Sequence, residues 1–250
     1  MPALDAFIIV AMTFLLAGAV KGVTGLGLPS VSLAILTAAL GLKPAMAILL
    51  VPSFVTNVWQ AAVGGYLGAI LRRIWSMLAV LCIATWVGAG ILAKTNADVL
   101  AGVLGVVLCI YAIMGLMRLP PPSTGAYEGW LSPLVGAVSG LLNGMTGSFV
   151  VPGVFYLQAL RFPRDGFIQS MGVLFTTATV SLAIALQKEQ LLTGELAILS
   201  ASAVVPALVG MAAGQVVRRR LSEAAFQTAF YVALLAMGAY IVLRALPTPW

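Results

Sequence analysis

One cation in this sequence stands away from the loops that hold the others. Lys21 lies in Gly18-Ala19-Val20-Lys21-Gly22, directly ahead of Thr24-Gly25-Leu26-Gly27-Leu28-Pro29. Proline suits the first turn of a helix and the preceding glycines let the chain turn sharply. This spacing predicts a helix that starts near Pro29 and leaves backbone N–H groups free at its end. Such an end carries roughly half a positive charge and attracts anions. Lys21, Thr24, Gly25 and Gly27 are therefore candidates for holding one. A counterpart follows at Asn143-Gly144-Met145-Thr146-Gly147-Ser148, with Pro152 four residues further on and Ser148 placed to cap a helix. Lys21 has a second reading, a lysine whose stem snorkels to an interface. Gly18 and Gly136 alone read as helix-packing glycines.

A second polar set sits on apolar segments. Ser53, Asn57 and Gln60, with Thr56 adjacent, follow the three-and-four spacing of one helix face, and Gln169, Ser170, Thr176, Thr177 and Thr179 occupy the matching segment. Ser170 and Thr177 read as interhelical hydrogen bonds. The larger amides of Asn57 and Gln60, matched by Thr176 and Thr179, are candidate ligand contacts.

What is missing narrows the chemistry. Histidine is absent, which removes a Ser-His-Asp triad, a Cys-His dyad and an HExxH zinc site together. Cys82 and Cys109 lie in apolar runs without metal-type spacing and read as inert buried thiols. All seven acids, Asp5, Asp98, Glu128, Asp165, Glu189, Glu195 and Glu223, fall at segment ends or in loops. No buried carboxylate relay is visible. No GxxxxGK[ST] loop is present, no cofactor is called for, and the five tryptophans and scattered methionines read as anchors and packing.

The elements that must position these residues are membrane segments. The chain has 250 residues, 62% hydrophobic and 8% charged, with a mean hydropathy of +1.10. A soluble domain carries about a quarter charged residues. Long apolar stretches at 44–64, 74–93, 98–117, 164–187, 194–216 and 222–246 can each cross ~30 Å of hydrocarbon at ~1.5 Å per residue. Ahead of the first and fourth lie pairs of shorter pieces, 6–20 with 29–42 and 130–142 with 148–160. The fold class expected is an all-α polytopic membrane protein of two inverted repeats, each a short-helix, re-entrant-like hairpin followed by three long transmembrane helices.

The duplication is legible in the residues. Gly18-Ala19-Val20-Lys21-Gly22 recurs as Gly136-Ala137-Val138-Ser139-Gly140, an offset of 118, and an offset of 119 then pairs Gly25 with Gly144, Pro44 with Pro163, Asn57 with Thr176 and Gln60 with Thr179. The repeats occupy 1–118 and 130–250, joined by a proline-rich linker at 119–129 whose prolines stop a helix. If each hairpin enters and leaves on one side, the loop cations divide eight to four: Arg72, Arg73, Arg118, Arg161, Arg164, Arg218, Arg219 and Arg220 against Lys43, Lys94, Lys188 and Arg244. Positive charge collects on the cytoplasmic side, which favours inverted repeats with the N-terminus outside. The first charged side chain is Asp5, so the N-terminus does not read as a cleaved signal.

Paired halves opening with Gly-Ala-Val-x-Gly, glycine-rich breaks at Thr24 to Pro29 and Asn143 to Pro152, and a following helix introduced by Pro44 or Pro163 resemble the TauE/SafE sulfite exporter family. The second half keeps that family's Gly-x-Gly-Gly-x-x-x-x-Pro pattern from Gly144 to Pro152, with Thr146 replacing one glycine. The resemblance implies a secondary transporter in the inner membrane for a small sulfur-containing anion such as sulfite or an organosulfonate. It would work by alternating access, with a proton as the candidate coupling ion and no nucleic-acid partner. Lys21 would contribute charge, the backbones of Thr24 to Pro29 and Asn143 to Ser148 would donate hydrogen bonds, and Asn57, Gln60, Thr176 and Thr179 would complete the shell. A membrane-embedded enzyme and a non-transporting assembly protein are the alternative classes.

Overall fold

The computed structural model describes residues 3–118, 125–218 and 223–246, and among these the regular structure is wholly helical. In chain order the helices are α1 (Ala3–Thr24), α2 (Leu28–Leu40), α3 (Leu42–Ile48), α4 (Leu50–Ala62), α5 (Leu67–Lys94) and α6 (Ala97–Met117). They continue with α7 (Glu128–Thr146), α8 (Val150–Ala159), α9 (Arg164–Lys188), α10 (Gly194–Ser202), α11 (Val204–Arg218) and α12 (Glu223–Ala245). The linker expected at 119–129 lies outside the described residues up to 124. Gly125–Tyr127 forms a single 3₁₀ turn and Glu128 already belongs to α7.

Among the described residues six segments are long and apolar enough to cross a membrane: Leu4–Thr24, Leu67–Lys94, Ala97–Met117, Arg164–Lys188, Gly194–Arg218 and Ala224–Ala245. They are not quite the expected six. The first helix of the leading hairpin, expected as the short piece 6–20, is a 22-residue helix that runs through Lys21 to Thr24. Its partner in the second half, expected at 130–142, has 19 residues and runs through Asn143 and Gly144 to Thr146. Only the second member of each pair is short, 13 residues in α2 and 10 in α8, or ~20 and ~15 Å of helix.

Conversely, the stretch 44–64 is not one straight span. It is α3 and α4, bent by 42°. Pro52 has no N–H to give Ile48 O, and the hydroxyl of Ser200 fills the gap. Ser200 donates to Ile48 O at 2.8 Å and accepts from Val51 N at 3.0 Å. Helix α5 also starts earlier than the apolar run at 74, so Arg72 and Arg73 are helical rather than in a loop.

The described residues divide into two compact units, and each draws on both halves of the chain. The first comprises residues 1–52, 95–119 and 192–250, the second 53–94 and 120–191. In the first unit α1 lies along α11. A Cβ on Gly18 would run into the carbonyl of Ala207 and one on Gly22 into that of Met211, while Gly210 and Gly214 of α11 meet Leu15 O and Ala19 O in return. Lipid tails offer no hydrophobic contrast, so close backbone approach through small residues is how such helices gain contact. In the same unit α6 and α12 approach at Gly105 and Gly238, and Tyr111 packs edge-on against Phe230 and Tyr231.

The second unit repeats this construction. Helix α7 lies along α5, with Gly136, Gly140 and Gly144 against the carbonyls of Met77, Leu81 and Thr85, and Gly88 of α5 against Leu141 O. Helix α9 covers α5, and Phe149 meets Phe175 edge-on at 4.9 Å. Gln169 braces this unit: its Nε2 donates to Ala61 O at 2.8 Å and its Oε1 accepts from Tyr66 N at 2.7 Å. At one end Arg73 forks onto Glu128 at 2.6 and 2.8 Å, donates to Leu160 O at 2.9 Å and lies over the Phe162 ring. Trp59, Trp75, Trp86 and Trp130 are exposed, as lipid-facing anchors would be. Trp250 lies outside the described residues.

Candidate functional site

The break in the first unit is built around Lys21, in the last turn of α1 and only 5% exposed. Its carbonyl accepts the N–H of Gly25 at 2.7 Å, and Gly25 has φ 76°, a left-handed turn that stops the helix. The hydroxyl of Thr24 lies 3.0 Å from Val20 O and 2.8 Å from Leu26 O, with one proton for the two, and accepts from Leu26 N at 3.1 Å. Gly27, at φ 96°, is the residue before α2, no side chain caps that helix, and Pro29 sits in its first turn as expected. A side chain at position 27 would also crowd Val20 and Phe230, at 3.0 and 3.3 Å. The first-turn N–H groups of α2 thus begin without a side-chain acceptor.

The break in the second unit repeats the turn that ends the first helix. Asn143 is fully buried in the last turn of α7, and its carbonyl accepts the N–H of Gly147 at 2.8 Å, again with φ 76°. Thr146 Oγ1 donates to Leu142 O at 2.7 Å and accepts from Ser148 N at 3.2 Å. These bonds equate Lys21 with Asn143, Gly22 with Gly144, Thr24 with Thr146 and Gly25 with Gly147, an offset of 122. This corrects the pairing of Gly18–Gly22 with Gly136–Gly140 and of Gly25 with Gly144. The glycine contacts agree, because Gly18 and Gly140 both meet a carbonyl of the helix alongside, as do Gly22 and Gly144. The signal was present as Gly18-x-x-Lys21-Gly22-x-Thr24-Gly25 and Gly140-x-x-Asn143-Gly144-x-Thr146-Gly147.

The side chains differ. Asn143 Nδ2 donates to Thr85 Oγ1 at 3.2 Å and to Ala178 O at 3.0 Å, tying α7 to α5 and α9, while its Oδ1 is buried without a hydrogen-bond partner. An amide oxygen only accepts, so that atom suits a hydrogen-bearing group and not a bare anion. Ser148 does not cap α8. The residue before that helix is Phe149, with no side-chain bond, and Ser148 Oγ is buried with no partner. Val151 is extended, so regular helix resumes only at Pro152. Gly144 is a packing glycine whose Cβ position is occupied by Thr85 and Ala89 backbone.

The polar faces of α4 and α9 are also sorted by their bonds. Ser53, Thr56 and Asn57 are all buried on one face of α4, as the spacing required. Gln60 spends its Nε2 on Ile168 O at 3.0 Å, and Thr179 Oγ1 donates within its own helix to Phe175 O at 2.7 Å. Thr176 Oγ1 is buried without a partner, and Thr176 lines a groove of about 290 Å³ with Thr177, Cys82 and Ser181. Of the thirteen candidates, Lys21, Thr24, Gly25 and Gly27 belong to the first unit. Asn57, Gln60, Asn143, Gly144, Thr146, Gly147, Ser148, Thr176 and Thr179 belong to the second. Thr85 and the Ala178 carbonyl, the partners of Asn143, were not anticipated.

Compared with protein-family models, the chain matches the one described as Sulfite exporter TauE/SafE over residues 10–241, nearly its whole length. Compared with curated proteins and with solved structures, it gives no significant match.

Proposed function

The chain belongs to the TauE/SafE sulfite exporter family, a family of multi-pass membrane transporters, and from that premise we propose that it carries a small sulfur-containing anion such as sulfite or an organosulfonate. The observation that supports this reading is the buried Lys21 at a glycine-built break, seven residues ahead in sequence of the uncapped N-terminus of α2. Ionisable side chains buried in membrane segments are rare and mark ion or substrate pathways. Backbone N–H groups and a helix dipole add favourable potential for an anion at the same place.

In this reading Lys21 supplies the charge and the backbone of Thr24, Gly25 and Gly27 shapes the turn that presents the α2 N–H groups. Among the candidates of the second unit, the hydroxyls of Ser148 and Thr176 are buried without a protein hydrogen-bond partner and can donate to an oxyanion. Asn143 Oδ1 would accept from a protonated species, which fits a proton as the coupling ion. Asn57, Gln60, Gly144, Thr146, Gly147 and Thr179 hold the backbone and helix contacts around these groups. The duplicated breaks are read as inverted repeats in the inner membrane, N-terminus outside and arginine-rich loops in the cytoplasm, working by alternating access.

Reconstituted vesicles test the proposal. Sulfite or a simple alkanesulfonate should cross protein-containing membranes faster than protein-free ones, and the flux should saturate. Flux of an organic cation with none of any sulfur oxyanion would overturn it.

A further inference from the structure

At one end of the first unit, where α2, α6 and α12 come together, a cavity of about 470 Å³ is lined by Thr37, Gly41, Asp98, Ala101, Ile241 and Arg244, among others. Two opposite charges share it without pairing. Among the described residues the ion pair within 4 Å is Arg73–Glu128, so Asp98 and Arg244 face one space and leave each other's charge unmet. The Arg244 guanidinium is tethered by a bond from Nη1 to Ala38 O, and its remaining N–H groups are available to a ligand. Asp98 is held at the start of α6, where its N–H donates to Asn96 Oδ1 at 2.7 Å. Thr37 also lines the wall, with its hydroxyl oxygen turned out of reach of solvent.

The mixed lining selects the ligand. A simple anion meets Asp98 and a simple cation meets Arg244, each at a repulsive cost, whereas a zwitterion satisfies both. The position selects its source. Asp98 stands at the first end of the span Ala97–Met117 and Arg244 at the last end of the span Ala224–Ala245, which is the level of lipid headgroups. Val99 and Leu243 on the same two helices are 56% and 69% exposed and Leu246, just past α12, is 56% exposed, an apolar surface along which acyl chains can lie. We propose that this cavity binds the headgroup of a phosphatidylethanolamine-type lipid, with the phosphate on Arg244 and the primary ammonium on Asp98.

The full-length protein in detergent would be titrated with phosphatidylethanolamine, phosphatidylcholine and phosphatidylglycerol of equal chain length, and with soluble phosphoethanolamine. Binding would be read by native mass spectrometry and thermal stabilisation. Phosphatidylethanolamine should bind about tenfold or more tightly than the other two, because only its ammonium donates charge-assisted hydrogen bonds to a carboxylate. Asp98→Asn should abolish its preference over phosphatidylcholine, and Arg244→Gln should weaken both. Ala101→Phe, which fills the cavity without touching either charge, should block all three and carries the test if a charge variant does not fold. Equal binding of the three lipids, a preference that survives Asp98→Asn, or soluble phosphoethanolamine matching the lipid would each overturn the proposal.

Discussion

The two breaks share the turn that ends their first helix and differ in what they build on it. Lys21 and Asn143 occupy the same place: the last turn of a long helix, one residue before a glycine pressed on a neighbouring backbone, four before a glycine at φ 76°. Asn143 uses its amide to join three helices, through Thr85 and Ala178. In the first unit the helix alongside presents Met211 where the second presents Thr85, as the contacts of Gly22 and Gly144 show. A methionine thioether is a weaker acceptor than the threonine hydroxyl that Asn143 uses. One scaffold therefore carries a structural amide at one copy and a charge at the other. The duplicated backbone is what must be kept, and the side chain at this one position is where function can diverge.

The shared backbone can be broken first at its packing glycines. Gly22→Ala and Gly144→Ala each place a methyl on backbone atoms that cannot yield, Met211 O in one case and Thr85 O with Ala89 N in the other. Each should destabilise by the upper part of the ~1–3 kcal/mol typical of overpacking, read as a fall in melting temperature in detergent. Unchanged melting in either would deny the close approach. Next come the turn glycines. Gly25→Ala and Gly147→Ala impose the left-handed penalty of about 1–2 kcal/mol, and because both have φ 76° their losses should agree. A large loss at one and none at the other would break the equivalence. Asn143→Leu should have the smallest effect on stability, about 1 kcal/mol. It removes two hydrogen bonds and also removes a buried oxygen that had no partner. If Asn143 is only a strut, the variant that still folds should keep most of its affinity for sulfite.

The comparison also marks what a sequence can show. The break at Gly25 to Pro29 was legible because glycine and proline act on their own few residues, and the same is true of the buried face of Ser53, Thr56 and Asn57. The length of α1 was not, since an apolar count halts at Lys21 while the helix continues through it, held by Gly22 against α11. The bend after Ile48 has a local cause in Pro52. The group that completes it, Ser200, stands 149 residues beyond Val51. The register of the repeat failed for a related reason: identities in Gly-Ala-Val-x-Gly outweighed the left-handed glycines, whose equivalence is a matter of φ and not of letters. Ser148, expected as a cap, is displaced from that duty because the helix begins after Phe149 and Val151 is extended.

The central claim is that Lys21, and not its counterpart Asn143, holds the anion. It is tested most directly by titrating purified wild-type protein, Lys21→Met and Lys21→Arg with sulfite in a calorimeter, after confirming that each is monodisperse. Loss of a charge-assisted hydrogen bond is worth about 1.5–3 kcal/mol, so Lys21→Met should bind roughly ten- to a hundredfold more weakly. Lys21→Arg should recover part of the affinity, its planar guanidinium replacing a compact ammonium. A well-folded Lys21→Met protein that binds sulfite as tightly as wild type would contradict the account.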